Sequence, residues 1–209
     1  MAYPTVSKPY GLKPINRVDG LPYAGAIRQL PIASDYNTPI YNGDIVRIAA
    51  GGTVAKSDVT VDSTTAAANY TAGVFVGVMY TNTQSQRVEA QWYPGNVAAT
   101  SAVAYVVDDP MAAFKAVVVS SGNTVAATSQ YAVGTNVKVV QNTGSNITGD
   151  SAVAILQPAN SAGSAAALPL RVIDVIPETA TSSGFVELVV KFNNHQYNTP
   201  ADAWNFVAA

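Results

Sequence analysis

The sequence contains no cysteine, one histidine and few charged residues. Only 11% of its 209 residues are Asp, Glu, Lys or Arg, against about 25% in an ordinary soluble domain. The lack of cysteine excludes disulfide frameworks, thiolate zinc sites and thiol nucleophiles. The formal net charge of −2 gives no electrostatic attraction to a phosphate backbone, so we expect no nucleic-acid partner.

Long hydrophobic runs are also missing, although 48% of the residues are hydrophobic. The longest candidates, 73–80 and 116–119, have the length of strands and fall well short of the roughly 20 residues of a membrane-spanning helix. The first residues lack the basic region and long apolar stretch of a signal peptide. We therefore expect a folded protein that has no membrane partner.

The sequence offers little material for catalysis. The single histidine, His195, lies in a polar stretch, and no Gly-x-Ser-x-Gly motif supplies a nucleophile. We expect His195 to be a surface or interface residue without a catalytic or metal-binding role. Asp108 and Asp109 precede Pro110, and this arrangement favours a turn over a calcium site because adjacent strand residues point to opposite faces. We predict no enzymatic activity, no metal and no cofactor.

Residues 1–26 contain four prolines and several apolar side chains. Proline interrupts helices and favours extended geometry in the preceding residue, so this segment is predicted to be an extended N-terminal arm. We expect the arm to hold the protein to its neighbours and to contribute little to its own fold. The residues of this arm and of the C-terminal tail that are predicted to lie at an interface are Tyr3, Pro4, Tyr10, Leu12, Pro14, Ile15, Tyr23, Tyr197 and Trp204.

Beyond the arm, short runs rich in Val, Ile, Tyr and Phe alternate with turn residues, which is typical of strands. The predicted strands are 27–32, 40–49, 54–61, 73–80, 88–93, 103–107, 114–120, 136–141, 151–157, 170–176 and 185–192. They indicate an all-β fold, an antiparallel β-sandwich or barrel-like module. Only two short helices are predicted, at 62–69 and 200–205.

The strands divide the chain into a main β domain, 27–158, and C-terminal strands with a tail, 168–209, which pack on that domain. An Ala/Ser-rich loop, 159–167, joins them. In the last strand Val186, Leu188, Val190 and Phe192 alternate with other residues, so they are predicted to form its core face.

Aromatic residues raise the question of carbohydrate binding. Trp92 and Tyr93 end a predicted strand, but no regular aromatic row lies along one strand. Packing in the core or at an interface is therefore the preferred interpretation, and a sugar-binding platform is the alternative.

The order of several segments resembles a family of phage proteins. These segments are 11–14 (GLKP), 40–46 (IYNGDIV), 73–78 (GVFVGV), 92–95 (WYPG), 104–110 (AYVVDDP), 170–173 (LRVI) and 193–195 (NNH). The series resembles capsid decoration, or cement, proteins of tailed bacteriophages, particularly those of marine bacteria and cyanobacteria.

This resemblance implies a virion structural protein on the outer surface of the capsid, made in the cytoplasm of the host. Its partners would be the major capsid protein and two further copies of itself, as a homotrimer that bridges and stabilises capsid subunits. Two alternatives remain open: another phage structural part, such as tail, neck or head fibre, and a module that binds carbohydrate or a host surface.

Overall fold

The computed structural model describes residues 6–57, 71–95, 97, 101–128, 132–160, 168–180 and 184–198. It confirms the predicted all-β fold, but the sheets are mixed and not purely antiparallel as predicted, because each contains one parallel strand pair. The strands are β1 (Lys13–Arg17), β2 (Arg28–Ile32), β3 (Ile45–Ile48), β4 (Val54–Lys56), β5 (Gly73–Thr81), β6 (Arg87–Ala90), β7 (Ala102–Val107), β8 (Ala112–Ser121), β9 (Thr124–Val125), β10 (Asn136–Val137), β11 (Val139–Val140), β12 (Ala154–Leu156), β13 (Leu170–Val175) and β14 (Glu187–Phe192). One short helix, α1 (Pro177–Ala180), and a 3-10 turn, Pro158–Asn160, complete the described elements.

Each predicted strand overlaps at least one observed strand, and two observed strands, β1 and β9, were not predicted. The predicted helices at 62–69 and 200–205 lie outside the described residues. The helix α1 was not predicted, because its four residues are too few to show a helical period.

The first sheet is built around β8. The strands β1 and β12 follow one another along one edge of β8, and β14 and β9 lie along its other edge. The strand β13 extends the sheet beyond β14, and β10 pairs with β13. Strands from the N-terminal, central and C-terminal parts of the chain therefore meet on one central strand.

The second sheet closes on itself. Its order is β3-β4-β2-β7-β5-β6, and β3 also pairs with β5. The closure brings β3 and β7 to opposite edges of the start of β5. A Cβ atom on Gly73 would lie 2.1 Å from the carbonyl oxygen of Val107, so this close approach requires glycine.

Two hydrophobic cores stabilise this arrangement. One is formed by both sheets and includes Phe114 and Leu188 from the first and Ile45 and Val74 from the second. The other is formed by the closed sheet and its adjoining loops, with Phe75 among its fully buried residues.

Asp44 connects the two sheets just before β3. Its side chain is fully buried. The carboxylate accepts hydrogen bonds from the Tyr41 backbone N–H, at 2.9 Å, and from the Ser151 hydroxyl, at 2.6 Å. The Lys56 ammonium lies 2.9 Å from the same carboxylate. Ser151 precedes β12 and Lys56 lies on β4, so one buried acid ties three segments together.

The placement of the N-terminal segment corrects one expectation. Residues 13–17 form β1, which pairs with β8, and Leu12 is fully buried in the core between the sheets. Val6 and Tyr10 pack against a third, smaller cluster that includes Phe185. Residues 6–17 therefore belong to the protein's own fold, and the expectation that the arm contributes little to it is wrong for this part of the chain.

The predicted core face of the last strand is confirmed, since Val186, Leu188, Val190 and Phe192 are all buried. On the other face Val189 is half-buried, and Glu187 is buried beside Lys115, 3.2 Å away. The alternation of residues in the sequence suggested an outward position for Glu187. The sequence could not show that Lys115, on the neighbouring strand β8, pairs with it.

We expect Leu188→Ala to lower the free energy of unfolding by about 2–5 kcal/mol, because it removes a fully buried side chain. Val189→Ser should lower it by about 1 kcal/mol, because the half-buried face loses less apolar area. Urea denaturation of both variants measures the difference. Equal losses would mean that both faces of β14 are equally buried.

Candidate functional site

Three segments that are distant in sequence meet at one surface. They are the end of β1 with the loop that follows it, the turn between β7 and β8, and the residues after β14. The Arg17–Asp109 and Arg28–Asp108 ion pairs and the contact of Arg28 with the Tyr197 ring join the three segments and hold this surface in place.

The loop between β1 and β2 exposes apolar side chains. Leu21 is 57% exposed and Ile27 is 49% exposed, whereas Tyr23 is half-buried against the core. Gly20, Pro22 and Gly25 interrupt this segment, and such residues oppose continued strand pairing. The apolar residues therefore remain at the surface.

The turn after β7 supplies two carboxylates, as the sequence predicted. Asp109 accepts the Met111 backbone N–H at 2.8 Å, which fixes the turn. Its carboxylate also lies 2.7 Å from the Arg17 guanidinium, and that of Asp108 lies 2.7 Å from the Arg28 guanidinium. Burial raises the pKa of Asp108, and the charge of Arg28 opposes this effect. Each acid has its own arginine, and the two do not converge on one point.

Arg28 and Tyr197 form the exposed centre of the surface. The Arg28 guanidinium carbon lies 4.9 Å from the centroid of the Tyr197 ring, and the guanidinium donates to the Tyr197 hydroxyl at 3.4 Å. The Arg28 side chain is 55% exposed, and Tyr197 is 40% exposed. We call the set Leu21, Tyr23, Ile27, Arg28 and Tyr197 the Tyr197–Arg28 surface.

His195 lies beneath this surface and is only 1% exposed. The expectation that it is a surface or interface residue is therefore wrong. Its ring packs 6.0 Å from the Phe192 ring and 5.4 Å from the Tyr197 ring, measured between centroids. Its Nδ1 accepts the Tyr197 backbone N–H at 3.2 Å. His195 thus positions the backbone of the exposed tyrosine.

Burial lowers the pKa of His195 from 6.5 to about 4, because desolvation disfavours the charged imidazolium. The nearby charges of Asp109 and Arg28 act in opposite directions and have smaller effects. Protonation would also remove the lone pair with which Nδ1 accepts the Tyr197 N–H. The folded protein therefore favours neutral His195.

Acid should consequently destabilise the fold through His195. The unfolded chain binds this proton at about pH 6.5 and the folded chain only at about pH 4, so the stabilisation present above pH 6.5 is lost as pH falls between these values. The loss from this group is about 3 kcal/mol. Urea denaturation of the wild type and of His195→Asn at several pH values isolates the contribution of His195 to this loss. A wild-type-minus-variant difference that does not change with pH would contradict the assignment.

The other predicted interface residues are spread over the N-terminal segment. Tyr10 is partly buried and its phenol donates to the Glu187 carboxylate. Pro14 is half-buried opposite Phe114, whereas Ile15 is 42% exposed. Leu12 is enclosed in the core and has no surface for a partner to contact. Tyr3, Pro4 and Trp204 lie outside the described residues.

Tyr23 and Tyr197 both lie near the turn after β7: burial and then the charges of Asp109 and Asp108 raise the pKa of Tyr23, and burial and Asp108 raise that of Tyr197 against the opposing charge of Arg28. Sequence reasoning did not select Arg28, the residue at the centre of the Tyr197–Arg28 surface. In the sequence, Arg28 is simply a charged residue in a predicted strand, and a charged residue in a strand usually marks a solvated face.

The aromatic residues weighed for sugar binding are used in packing. Tyr93 is fully buried. The half-buried Trp92 stacks on Tyr41 with ring centroids 5.5 Å apart and an interplanar angle of 11°. This arrangement favours the packing interpretation for this aromatic pair.

The described residues contain no group of three or more His, Cys, Asp or Glu side chains that could hold a metal ion. In the described elements, no helix has the length and apolar character needed to cross a bilayer.

Comparison of the chain with protein-family models, with curated proteins and with solved structures found no match.

Proposed function

We propose that the protein is a virion structural protein that decorates the outside of a bacteriophage capsid and stabilises it by bridging major capsid protein subunits. The order of segments in the sequence suggests this class. In the structure, the proposal is supported by the Tyr197–Arg28 surface. Tyr and Arg are among the residue types that contribute most to binding at protein interfaces.

The geometry of this surface suits a permanent contact. Arg28 is held by Asp108 and stacks on Tyr197, whose backbone is fixed by His195. Side chains that are already ordered lose less conformational entropy when a partner binds. Leu21 and Ile27, in the segment that leads into Arg28, add exposed apolar area.

The proposal includes a homotrimer on the outer surface of the shell. Three copies of one modest contact give a high effective concentration, so the trimer would grip the lattice more firmly than one chain. Binding to the assembled lattice in preference to dispersed subunits stabilises the shell by mass action.

The test uses virions made from a phage genome that lacks this gene. Purified protein added to these bare particles should sediment with them and raise the temperature at which they rupture. Leu21→Ser, Ile27→Ser and Tyr197→Ala should each weaken this binding at least about tenfold, as expected for interface anchors.

Arg87→Ala is the control, because Arg87 is 68% exposed on β6 and pairs with a similarly exposed Glu89. This variant should bind as the wild type does. If bare and decorated particles rupture at the same temperature, the stabilising role is wrong. If protein does not sediment with the particles at all, the decoration proposal fails.

A further inference from the structure

A cavity of about 320 Å³ lies beside β3 and β4, where the closed sheet meets the first sheet. Its lining comes from the segment between β2 and β3, from β3 and β4 themselves, and from the residues that directly follow β4 and β11. Sites for small molecules measure about 300–1,000 Å³ and carry a few polar groups that converge on one space. The size of this cavity therefore suits a small ligand.

Hydrogen bonds and an ion pair hold the walls of the cavity in place. The Lys56 backbone N–H donates to the Tyr36 hydroxyl at 2.7 Å, and the Gln141 side-chain N–H donates to the Ser57 carbonyl at 3.2 Å. The Lys56 ammonium lies 2.9 Å from the buried Asp44 carboxylate. Walls that are already ordered lose little conformational entropy when a ligand binds.

Two buried polar atoms of the lining have no hydrogen-bond partner in the part of the chain that the structure describes. They are the Ser57 hydroxyl oxygen and the Gln141 side-chain oxygen, and Ser57 as a whole is only 2% exposed. Buried polar groups in native proteins nearly always have a partner, because a group without one loses its hydration and gains nothing in return. These two atoms therefore point to a molecule held in the cavity.

The chemistry of the two atoms defines that molecule. The Gln141 oxygen only accepts hydrogen bonds, so its partner has to donate, whereas the Ser57 hydroxyl can donate or accept. A hydroxyl group plays both roles, and a ligand with several hydroxyl groups can reach both atoms at once. One bridging water could also do so, but the cavity is much larger than one water needs.

The remaining lining residues narrow the class further. Arg47 and Lys56 carry positive charge, which opposes a metal ion at this place. Lys56 is already paired with Asp44, so the ligand needs no negative charge to compensate it. Tyr36 and Ala55 supply apolar carbon, which suits a ligand that has C–H groups beside its hydroxyls. A sugar ring has this combination.

We propose that this cavity binds a monosaccharide, or one sugar unit of a longer glycan, through the Ser57 hydroxyl and the Gln141 side-chain oxygen. The site shares no residue with the Tyr197–Arg28 surface. It also needs no capsid, so the inference goes beyond the proposed function and stands or fails separately from it.

The test measures binding of glucose, galactose, mannose, N-acetylglucosamine and glucuronate to the full chain by saturation-transfer NMR. At least one of these sugars should bind, with a Kd on the order of millimolar, as expected for so small a ligand. Chemical-shift changes of the backbone amides should centre on Ser57 and Gln141. The sugars are tested up to roughly ten times this Kd, where a real site is mostly filled.

Ser57→Ala and Gln141→Met should each weaken sugar binding about tenfold or more. Ser57→Ala should leave the melting temperature unchanged or higher, because it removes a buried hydroxyl that has no partner within the described residues. This separates loss of the site from loss of the fold. Ser121→Ala is the matched control, because Ser121 lies at the exposed end of β8, and it should bind as the wild type does.

Two results would overturn the site. If none of the five sugars binds to the wild type, the cavity holds water only. If a sugar binds equally well to the wild type, to Ser57→Ala and to Gln141→Met, it binds elsewhere on the protein. Neither result bears on sedimentation with the bare particles, which tests the proposed function.

Discussion

A chain that lacks residues 1–17 is expected to show no cooperative thermal unfolding transition. The deletion removes β1 from the edge of β8 and takes Leu12 out of the core between the sheets. It also uncovers the small cluster on which Val6 and Tyr10 pack. Loss of one strand, one fully buried leucine and this cover is comparable with the stability of about 5–15 kcal/mol that a typical domain possesses. Circular dichroism during heating measures the transition.

Two leucines in the same part of the chain give a finer test of this conclusion. Leu12 is fully buried and Leu21 is 57% exposed. Leu12→Ala should lower the free energy of unfolding by about 2–5 kcal/mol, and Leu21→Ala by less than about 0.5 kcal/mol. Similar effects of the two substitutions, or a cooperative transition in the deleted chain, would show that the N-terminal segment is dispensable for folding.

Replacement of Asp44 by alanine should lower the free energy of unfolding by about 3–5 kcal/mol. The substitution leaves the Lys56 ammonium, 18% exposed, without its buried counter-ion. It also leaves the Tyr41 N–H and the Ser151 hydroxyl without their acceptor, and an unsatisfied buried donor adds to the loss. Urea denaturation at neutral pH measures the change.

Asp150→Ala is the matched control for Asp44→Ala. Asp150 also pairs with a lysine, Lys13, but both side chains of this pair are about one-third exposed. Exposed pairs contribute about 0–1 kcal/mol, so this variant should unfold nearly as the wild type does. A loss after Asp150→Ala as large as that after Asp44→Ala would mean that burial does not set the strength of these pairs.

The strands that could be predicted from the sequence are those whose own residues carry the signal. In β14, apolar residues at alternate positions face the core, and their alternation is visible without knowledge of any neighbour. The long β5 is rich in Val and Phe, and it also appears in the sequence as a continuous β-forming run.

The features that could not be predicted depend on partners far away in the chain. β1 contains Pro14 and two charged residues, so it resembles a loop until it meets β8. His195 lies in a polar stretch, and its burial depends on Phe192 and on the bridge between His195 and Thr71. The exposure of Ile147 is likewise known only once the turn between β11 and β12 has folded onto Tyr41 and Trp92.

The central place of β8 also has a consequence for how the chain reaches its native state. Its two edges are completed by β1, near residue 13, and by β14, near residue 192. Contacts between such distant residues close long loops before they gain stabilisation, so folding should be slow, on the order of milliseconds to seconds. The first sheet cannot be completed until β14 has emerged from the ribosome. A nascent or prematurely ended chain would therefore expose β8 with an open edge, a state prone to aggregation.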